Sequence, residues 1–379
     1  MNILILSAST GGGHMSASNA IKNYIEKNNK QAHVKIVDSL MYVSPTLNKT
    51  VTNGYVYLAT KTPKIYGKLY DVTNKETKIS NLVSKLNSVF AERLNELFTD
   101  FKPDIILSTH PFPTEMISIL KSKKKINIPL VCVMTDYASH KTWINENVDA
   151  YVVSNDDMAK EMINDGISSG IVYPFGIPID DSFFGDNDIE DTLESLGLKK
   201  DVPTIMMMAG SFGVGTVLDV YKNIININLE FQIILITGKN QKLYEELEEL
   251  TQKSQKKTKL IYFTKEINKL MQASDVLITK PGGLTVTESL ACNIPMAIFD
   301  AIPGQEEENA EFLLKHNMAV RINDANYKEV IVELLDGTTR LNAMKEACKS
   351  FDKKDSNKNI YLLVNKLVSN QNKENKINI

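Results

Sequence analysis

Short apolar runs alternate with segments of helical period along most of this chain, and the alternation occurs twice, once on each side of a stretch rich in Pro, Gly and Asp. That repetition is the strongest constraint on the fold. Apolar runs bounded by turns suit strands buried on both faces, and amphipathic segments between them suit the crossover helices of a parallel sheet. The first series predicts strands at 2–7, 34–38, 104–108, 130–135 and 150–154. Between the first two, Ala17, Ala20, Ile21, Tyr24 and Ile25 recur at i, i+3, i+4, i+7 and i+8, which predicts a helix over 14–28. After Tyr173 the text YPFGIPIDDSFFGDNDIED reads as a linker. The second series predicts strands at 204–209, 232–237, 259–263, 276–279 and 296–300. The expectation is an α/β protein with two doubly wound, Rossmann-like domains facing a cleft, bounded at 1–175 and 176–350. The polar end SNQNKENKINI is expected to fray.

Several classes drop out. With 379 residues the chain exceeds what one core usually organises. No apolar stretch approaches the ~18–20 residues that span a bilayer. The apolar start runs into a glycine turn with no basic residues ahead of it, unlike a signal peptide. Cys132, Cys292 and Cys348 lack CxxC spacing, so neither a disulfide framework nor a zinc site is indicated, and a reducing cytoplasm fits. The net charge of −3 conceals an asymmetry: residues 1–150 hold 18 Lys and Arg against 12 Asp and Glu, leaving 25 against 34 for the rest. A basic half either faces something anionic or simply stays soluble.

The first strand ends in SASTGGGHMSAS. Glycines between a buried strand and a helix let the backbone turn sharply and approach a ligand, and the helix start offers free N–H groups. The spacing is neither a Walker loop nor GxGxxG. Gly12 and Gly13 border the turn, and His14 follows it. A histidine at the carboxyl edge of a parallel sheet either takes a proton from an incoming hydroxyl or packs the first helical turn. In TKPGGLTVTESLACNIPMAIFD, Gly282 and Gly283 form a turn before a helix. Thr285 and Glu288 have capping-box spacing there, so Glu288 either closes that box or grips two ribose hydroxyls above a diphosphate. MMMAGSFGVG places Ser211 and Gly213 to cradle phosphate. IPGQEEENAEF puts Gln305 and Glu306 ahead of a helix, as sugar readers or as an acidic first turn. VMTDYASHKTW supplies Asp136, His140 and Trp143, and STHPFP supplies His110, all at strand ends where doubly wound sheets bind ligands. DND at 186–188 imitates a metal-binding DxD pattern but lies in the linker. Residues 49–78 carry six lysines against two acids, with Tyr55, Tyr57, Tyr66 and Tyr70 interleaved. That mixture suits a lipid headgroup boundary, single-stranded nucleic acid, or no partner.

Taken in order, TGGGH, MTDYxxHxxW, MAGSFGV, ITKPGGLTVTE and PGQEEENA resemble glycosyltransferase family 28, from about residue 2 to about residue 350. The similarity is greatest to diacylglycerol glucosyltransferases and monogalactosyldiacylglycerol synthases. The resemblance implies the GT-B architecture, with a lipid-acceptor domain first, a UDP-sugar domain second, and a last helix in 351–379 crossing back. It implies an inverting hexosyltransferase that moves glucose from UDP-glucose to the 3-hydroxyl of diacylglycerol. UDP-galactose transfer and UDP-sugar 2-epimerisation stand as alternatives. His14, or else Asp136, would be the base. Ser211, Gly213, Phe263, Gly282, Gly283, Thr285, Glu288, Gln305 and Glu306 would bind the donor. Gly12, Gly13, His110, His140 and Trp143 would line the acceptor side, and Lys61, Lys64, Tyr66 and Lys68 would touch the membrane. Neither a metal nor a resident cofactor is expected. The expected partners are the donor, the lipid and an anionic membrane surface at the cytoplasmic face, with no nucleic acid. Ser9 stands where galactolipid synthases carry an Asp before TGGGH, so no carboxylate partner for His14 is evident.

Overall fold

The structure, a computed structural model, describes residues 1–9, 12–46, 54, 57–58, 62–74, 87–209, 214–336 and 339–377. The chain divides into two units, Met1–Asp181 with Lys353–Ile379, and Ser182–Asp352. The boundary therefore falls inside the linker, a little beyond 175/176. The last helix, Ser356–Ile377, belongs with the first unit.

The first unit holds six parallel strands in the order β2–β1–β3–β4–β5–β6. They are β1 (Asn2–Ser7), β2 (His33–Asp38), β3 (Ile105–Ser108), β4 (Leu130–Val133), β5 (Ala150–Val152) and β6 (Val172–Tyr173). Alternation along β1 divides its side chains between two cores. Leu4 and Leu6 join Ile106, Met116 and Ile117 on one face. Ile3 and Ile5 join Ile21 and Ile25 of the helix Gly13–Asn28 on the other, together with Ile360, Leu363 and Val364 of the last helix. The last helix thus completes the first unit's second core although some 170 residues of the other unit precede it.

The second unit repeats the plan, in the order β12–β11–β10–β7–β8–β9. Its strands are β7 (Thr204–Met208), β8 (Gln232–Ile236), β9 (Thr258–Ile261), β10 (Val276–Thr279), β11 (Met296–Ile298) and β12 (Ala319–Arg321). All pairings are parallel. In each unit the chain winds outward from its first strand and then returns to that strand's other side. The reversal falls between β1 and β3 in the first sheet and between β7 and β10 in the second. Open parallel sheets bind ligands outside the carboxyl ends of the strands at such reversals.

Two strands escape the sequence pattern, β6 and β12. Both are sheet edges of two or three residues, too short to show a periodicity. Several expected strands also stop early. Residues 134–135, 153–154 and 299–300 fall beyond the strand ends; all but Asp300 are buried, and Met134 and Val153 still donate their N–H groups to Val152 O and Tyr173 O.

Candidate active site

At the first reversal, the helix Gly13–Asn28 starts from Gly12, which has no side chain to cap it. Gly12 has φ −78°, and a Cβ there would meet nothing within 4 Å. Neither the backbone nor the packing of this unit demands glycine at that position. His14 sits in the first turn. Its Nδ1 lies 2.9 Å from the carbonyl oxygen of Thr109 and 2.8 Å from Thr135 Oγ1. A carbonyl only accepts, so Nδ1 carries the proton and Nε2 is the basic nitrogen. Burial holds this imidazole down at about 4, against a smaller upward pull from the Thr109 carbonyl, so it is neutral at physiological pH.

The group holding His14 is itself fixed. Thr109 Oγ1 donates to Ser7 Oγ at the end of β1 (2.9 Å) and lies 2.9 Å from Ser18 Oγ on the helix. Its backbone N–H donates to Leu6 O. The ring of His110 meets that of His14 edge-on, with centroids 4.6 Å apart. His110 Nδ1 accepts from the Phe112 N–H, capping the helix Pro111–Ser122, so its proton is on Nε2. Burial first, and then the neighbouring His14, push its pKa well below the ordinary value.

Asp136 and Trp143 belong to one contact. The indole Nε1–H donates to Asp136 Oδ2 at 3.2 Å, and both residues are buried. The Trp143 ring lies 6.2 Å from that of His14. His140 uses both nitrogens within the protein: Nδ1 accepts from the Thr142 N–H, and Nε2 donates to Tyr70 O at 3.1 Å. Asp38, at the end of β2, accepts from Ser9 N–H (3.1 Å) and Ser9 Oγ (2.5 Å).

The second reversal has the same construction. Thr279 Oγ1 donates to Met208 O, fastening the end of β10 to β7. The chain then turns through Pro281 and Gly282 into the helix Gly283–Ala291, again without a side-chain cap. A Cβ on Gly282 would meet only Thr285 Oγ1, at 4.0 Å. The capping-box alternative for Glu288 fails here. The cap position is Gly282, so Thr285 lies inside the helix and Glu288 one turn further on. Burial pushes the Glu288 carboxyl up to about 8. Asn309 reaches from the helix Gln305–Lys315 to donate to Pro281 O at 3.0 Å, which fixes the turn. Elsewhere, side chains of Asp38, His110, Asn155, Asp188 and Asn240 cap their helices. The two helices at the reversals carry no side-chain cap, as is also true of Pro63–Thr73, Asn95–Phe101, Ile267–Gln272 and Gln305–Lys315. At the reversals those first N–H groups lie at the strand ends where an open parallel sheet receives an anion.

Two known families match these units: the one described as monogalactosyldiacylglycerol (MGDG) synthase over residues 14–179, and the glycosyltransferase family 28 C-terminal domain over 204–360. A processive diacylglycerol beta-glucosyltransferase of Staphylococcus carnosus is 33% identical over 354 residues, covering 91% of this chain and 87% of the relative. The chain belongs to glycosyltransferase family 28. The fold agrees. Acinetobacter baumannii MurG superposes with TM-score 0.61 at 14% identity, covering 96% of this chain and 99% of MurG. Anabaena HepE in complex with UDP-glucose gives 0.55 at 16%, covering 97% and 100%. Both units are the doubly wound domains of the GT-B class, and this family-28 chain is a hexosyltransferase of the glycolipid-forming group.

The remaining residues that the family-28 resemblance marks are placed unevenly. Gln305 and Glu306 open their helix after Gly304, whose φ is +96°. Glu306 Oε2 accepts from Ile302 N–H at 2.9 Å, so one of its oxygens closes the preceding turn. Burial raises its pKa, opposed by that bond and by Lys280. Phe263 is 48% exposed just beyond β9, with Lys239 Nζ 4.3 Å from its ring centroid. Ser211, Gly213 and Lys61 lie outside the described residues. Lys64 and Lys68 are exposed on the helix Pro63–Thr73, whereas Tyr66 is half-buried, 6.5 Å from Tyr70. The DND stretch serves the fold, since Asp188 caps the helix Ile189–Ser195 and Asn187 bonds Gln272. Among the described residues, no three His, Cys, Asp or Glu side chains cluster to hold a metal. Sequence reading missed Thr109, Thr135, Asn309 and Lys239. The first three lie within marked motifs (STHPFP, MTDY and PGQEEENA), which is the signal that pointed toward them.

Proposed function

We propose that this protein transfers glucose from UDP-glucose to the 3-hydroxyl of 1,2-diacylglycerol, with inversion, to give a β-glucosyl diacylglycerol and UDP. The reading is carried by the two uncapped helices at the sheet reversals, one presenting a neutral imidazole and the other a half-buried carboxyl. The names of the curated relatives support the lipid and the sugar, and the bound nucleotide of HepE supports the donor class.

In the proposed reaction the acceptor oxygen attacks the anomeric carbon as the bond to UDP breaks, and His14 Nε2 takes the hydroxyl proton. General-base help of this kind contributes about 10²–10⁴-fold. Glu288 accepts from the ribose hydroxyls. The diphosphate lies at the N-terminus of the helix Gly283–Ala291, and its N–H groups receive the charge that gathers on UDP. We propose that this suffices without a divalent ion. Phe263 borders the uracil, and Gln305 with Glu306 reads the glucose. Transfer to a lipid already carrying glucose would extend the product.

The acceptor resides in a bilayer, and no helix among the described residues is long and apolar enough to cross one. We propose peripheral attachment at the cytoplasmic face through the basic first unit, on anionic lipid. One assay tests the reading: labelled UDP-glucose, UDP-galactose and UDP-GlcNAc, each with diacylglycerol in mixed micelles containing EDTA, with products resolved by chromatography. Labelled glucosyl lipid is expected. Galactosyl lipid alone would reassign the donor, and N-acetylmannosamine from UDP-GlcNAc alone would replace transfer by epimerisation.

A further inference from the structure

The helix Pro63–Thr73 presents Ile65, Leu69 and Val72 to solvent, 57%, 38% and 37% exposed. Their i, i+4, i+7 spacing makes one apolar ridge, and Lys64 and Lys68, both exposed, lie along its flank. Gly67 is buried and Tyr66 and Tyr70 are half-buried, so the opposite side of the helix faces the protein. An apolar ridge beside lysines is complementary to the headgroup boundary of an anionic bilayer, which takes apolar side chains to a shallow depth and attracts each cation.

The C-terminal end of this helix is fastened to the loop 134–143. His140 Nε2–H donates to Tyr70 O, and the two rings meet at a tilt of 41° with centroids 4.2 Å apart. Asn74 Oδ1, at the helix cap, accepts from the Lys141 N–H at 3.0 Å. The same loop reaches His14 at both ends, through Thr135 Oγ1 on Nδ1 and through the Trp143 ring. Trp143 in turn donates its backbone N–H to His140 O.

We propose that the helix Pro63–Thr73 seats its Ile65–Leu69–Val72 ridge in an anionic bilayer, and that His140 is a positioning residue which passes this seating to the loop holding His14. The inference rests on the proposed use of a membrane lipid, and it adds that the base is set in place at the surface where that lipid lies. The clasp is polar and buried on the His140 side, so displacing the helix displaces the loop with it.

Trp143 is the chain's one tryptophan, so its fluorescence reports the loop without any need for turnover. The full-length protein is mixed with phosphatidylglycerol vesicles, and co-sedimentation and Trp143 emission are both read. Vesicles should bind the native protein and shift its emission and acrylamide quenching. Ile65→Asp with Leu69→Asp should lower the sedimented fraction at least tenfold and abolish the shift. His140→Ala should bind vesicles within twofold of native yet show no shift. Asn74→Ala, a change at the exposed end of the clasp, should halve the shift at least, and it carries the test if His140→Ala lowers folding. An unshifted native emission, a native-sized shift in both clasp variants, or undiminished sedimentation of the ridge variant overturns the proposal. A ridge that binds another protein would show the last of these. Full shifts in a protein that transfers no sugar would defeat the reaction assigned above and leave this coupling standing.

Discussion

The carbonyl oxygen of Thr109 lies 2.9 Å from Nδ1 of His14, and the hydroxyl of Thr135 shares the same nitrogen at 2.8 Å. Where a carboxylate would stabilise the charged imidazolium, a carbonyl fixes the neutral tautomer and adds little to its basicity. Thr109 is anchored by Ser7 at the end of the strand before the glycine turn and by Ser18 in the second turn of the helix after it. The imidazole is therefore oriented by the same reversal of the sheet that opens the site.

Thr135→Val removes one hydroxyl from His14 while keeping volume. A hydrogen bond of this kind is worth about 0.5–1.5 kcal/mol, so kcat should fall about 2- to 12-fold with KM for the donor unchanged. Thr135→Ser should recover most of it. Steady-state kinetics check this, and an equal loss in the Ser variant would remove the orienting role.

Acid should destabilise the first unit through its histidine pair. Folded, His14 stays neutral down to about pH 4, whereas unfolded it takes a proton below 6.5. The unfolded state thus binds more protons as pH falls across that window, and stability that is full above 6.5 is lost by about 3 kcal/mol at its lower end. His110, also depressed by burial, acts in the same direction. Urea unfolding between pH 7 and 4 should show the decline, and His14→Phe should flatten it.

Glu288 should make UDP binding depend on pH. Unliganded, its carboxyl keeps the proton up to about pH 8, while the unfolded carboxyl releases it near 4.5. This group therefore favours the empty fold at low pH and loses that contribution as pH rises from 4.5 to 8. Ribose hydroxyls donating to the carboxylate favour the ionised form, so binding expels a proton and strengthens toward pH 8. Calorimetry in buffers of different ionisation heat should record proton release at pH 7. Glu288→Gln should remove it and raise the unliganded melting temperature at pH 8.5.

Asn309→Leu withdraws the donor from Pro281 O and leaves that buried carbonyl unsatisfied, a loss of about 1–3 kcal/mol. The melting temperature should fall, and UDP should bind more weakly as the Gly282 turn loosens. Unchanged affinity with lowered stability would confine Asn309 to folding.

Ten of the twelve strands were legible because a buried parallel strand must be an apolar run, whatever its partners. β6 and β12 were not, since two or three residues at a sheet edge carry no pattern. The placement of His14 and Glu288 early in helices that follow glycine turns was legible, because glycines between a buried apolar run and an amphipathic segment mark a strand-to-helix turn. What orients His14 was hidden, since the decisive group is a backbone carbonyl 95 residues away and a carbonyl has no letter in a sequence. The bonds of His140 and Asp188 were equally hidden. His140 Nε2 donates to Tyr70 O, a partner 70 residues away, and Asp188, set aside in the sequence as part of a linker DxD imitation, accepts from Asp191 N–H as a helix cap. Burial alone displaces Glu288, and burial is a property of the fold rather than of its neighbours in the chain.

The account is tested most directly by comparing His14→Ala with the native protein in glucosyl transfer and in UDP binding. Turnover should fall by about 10²–10⁴-fold with the dissociation constant for UDP held within twofold, and the native product should be the β-anomer by proton NMR coupling. Retained turnover, or UDP affinity lost along with it, would contradict the assignment of His14 as the base.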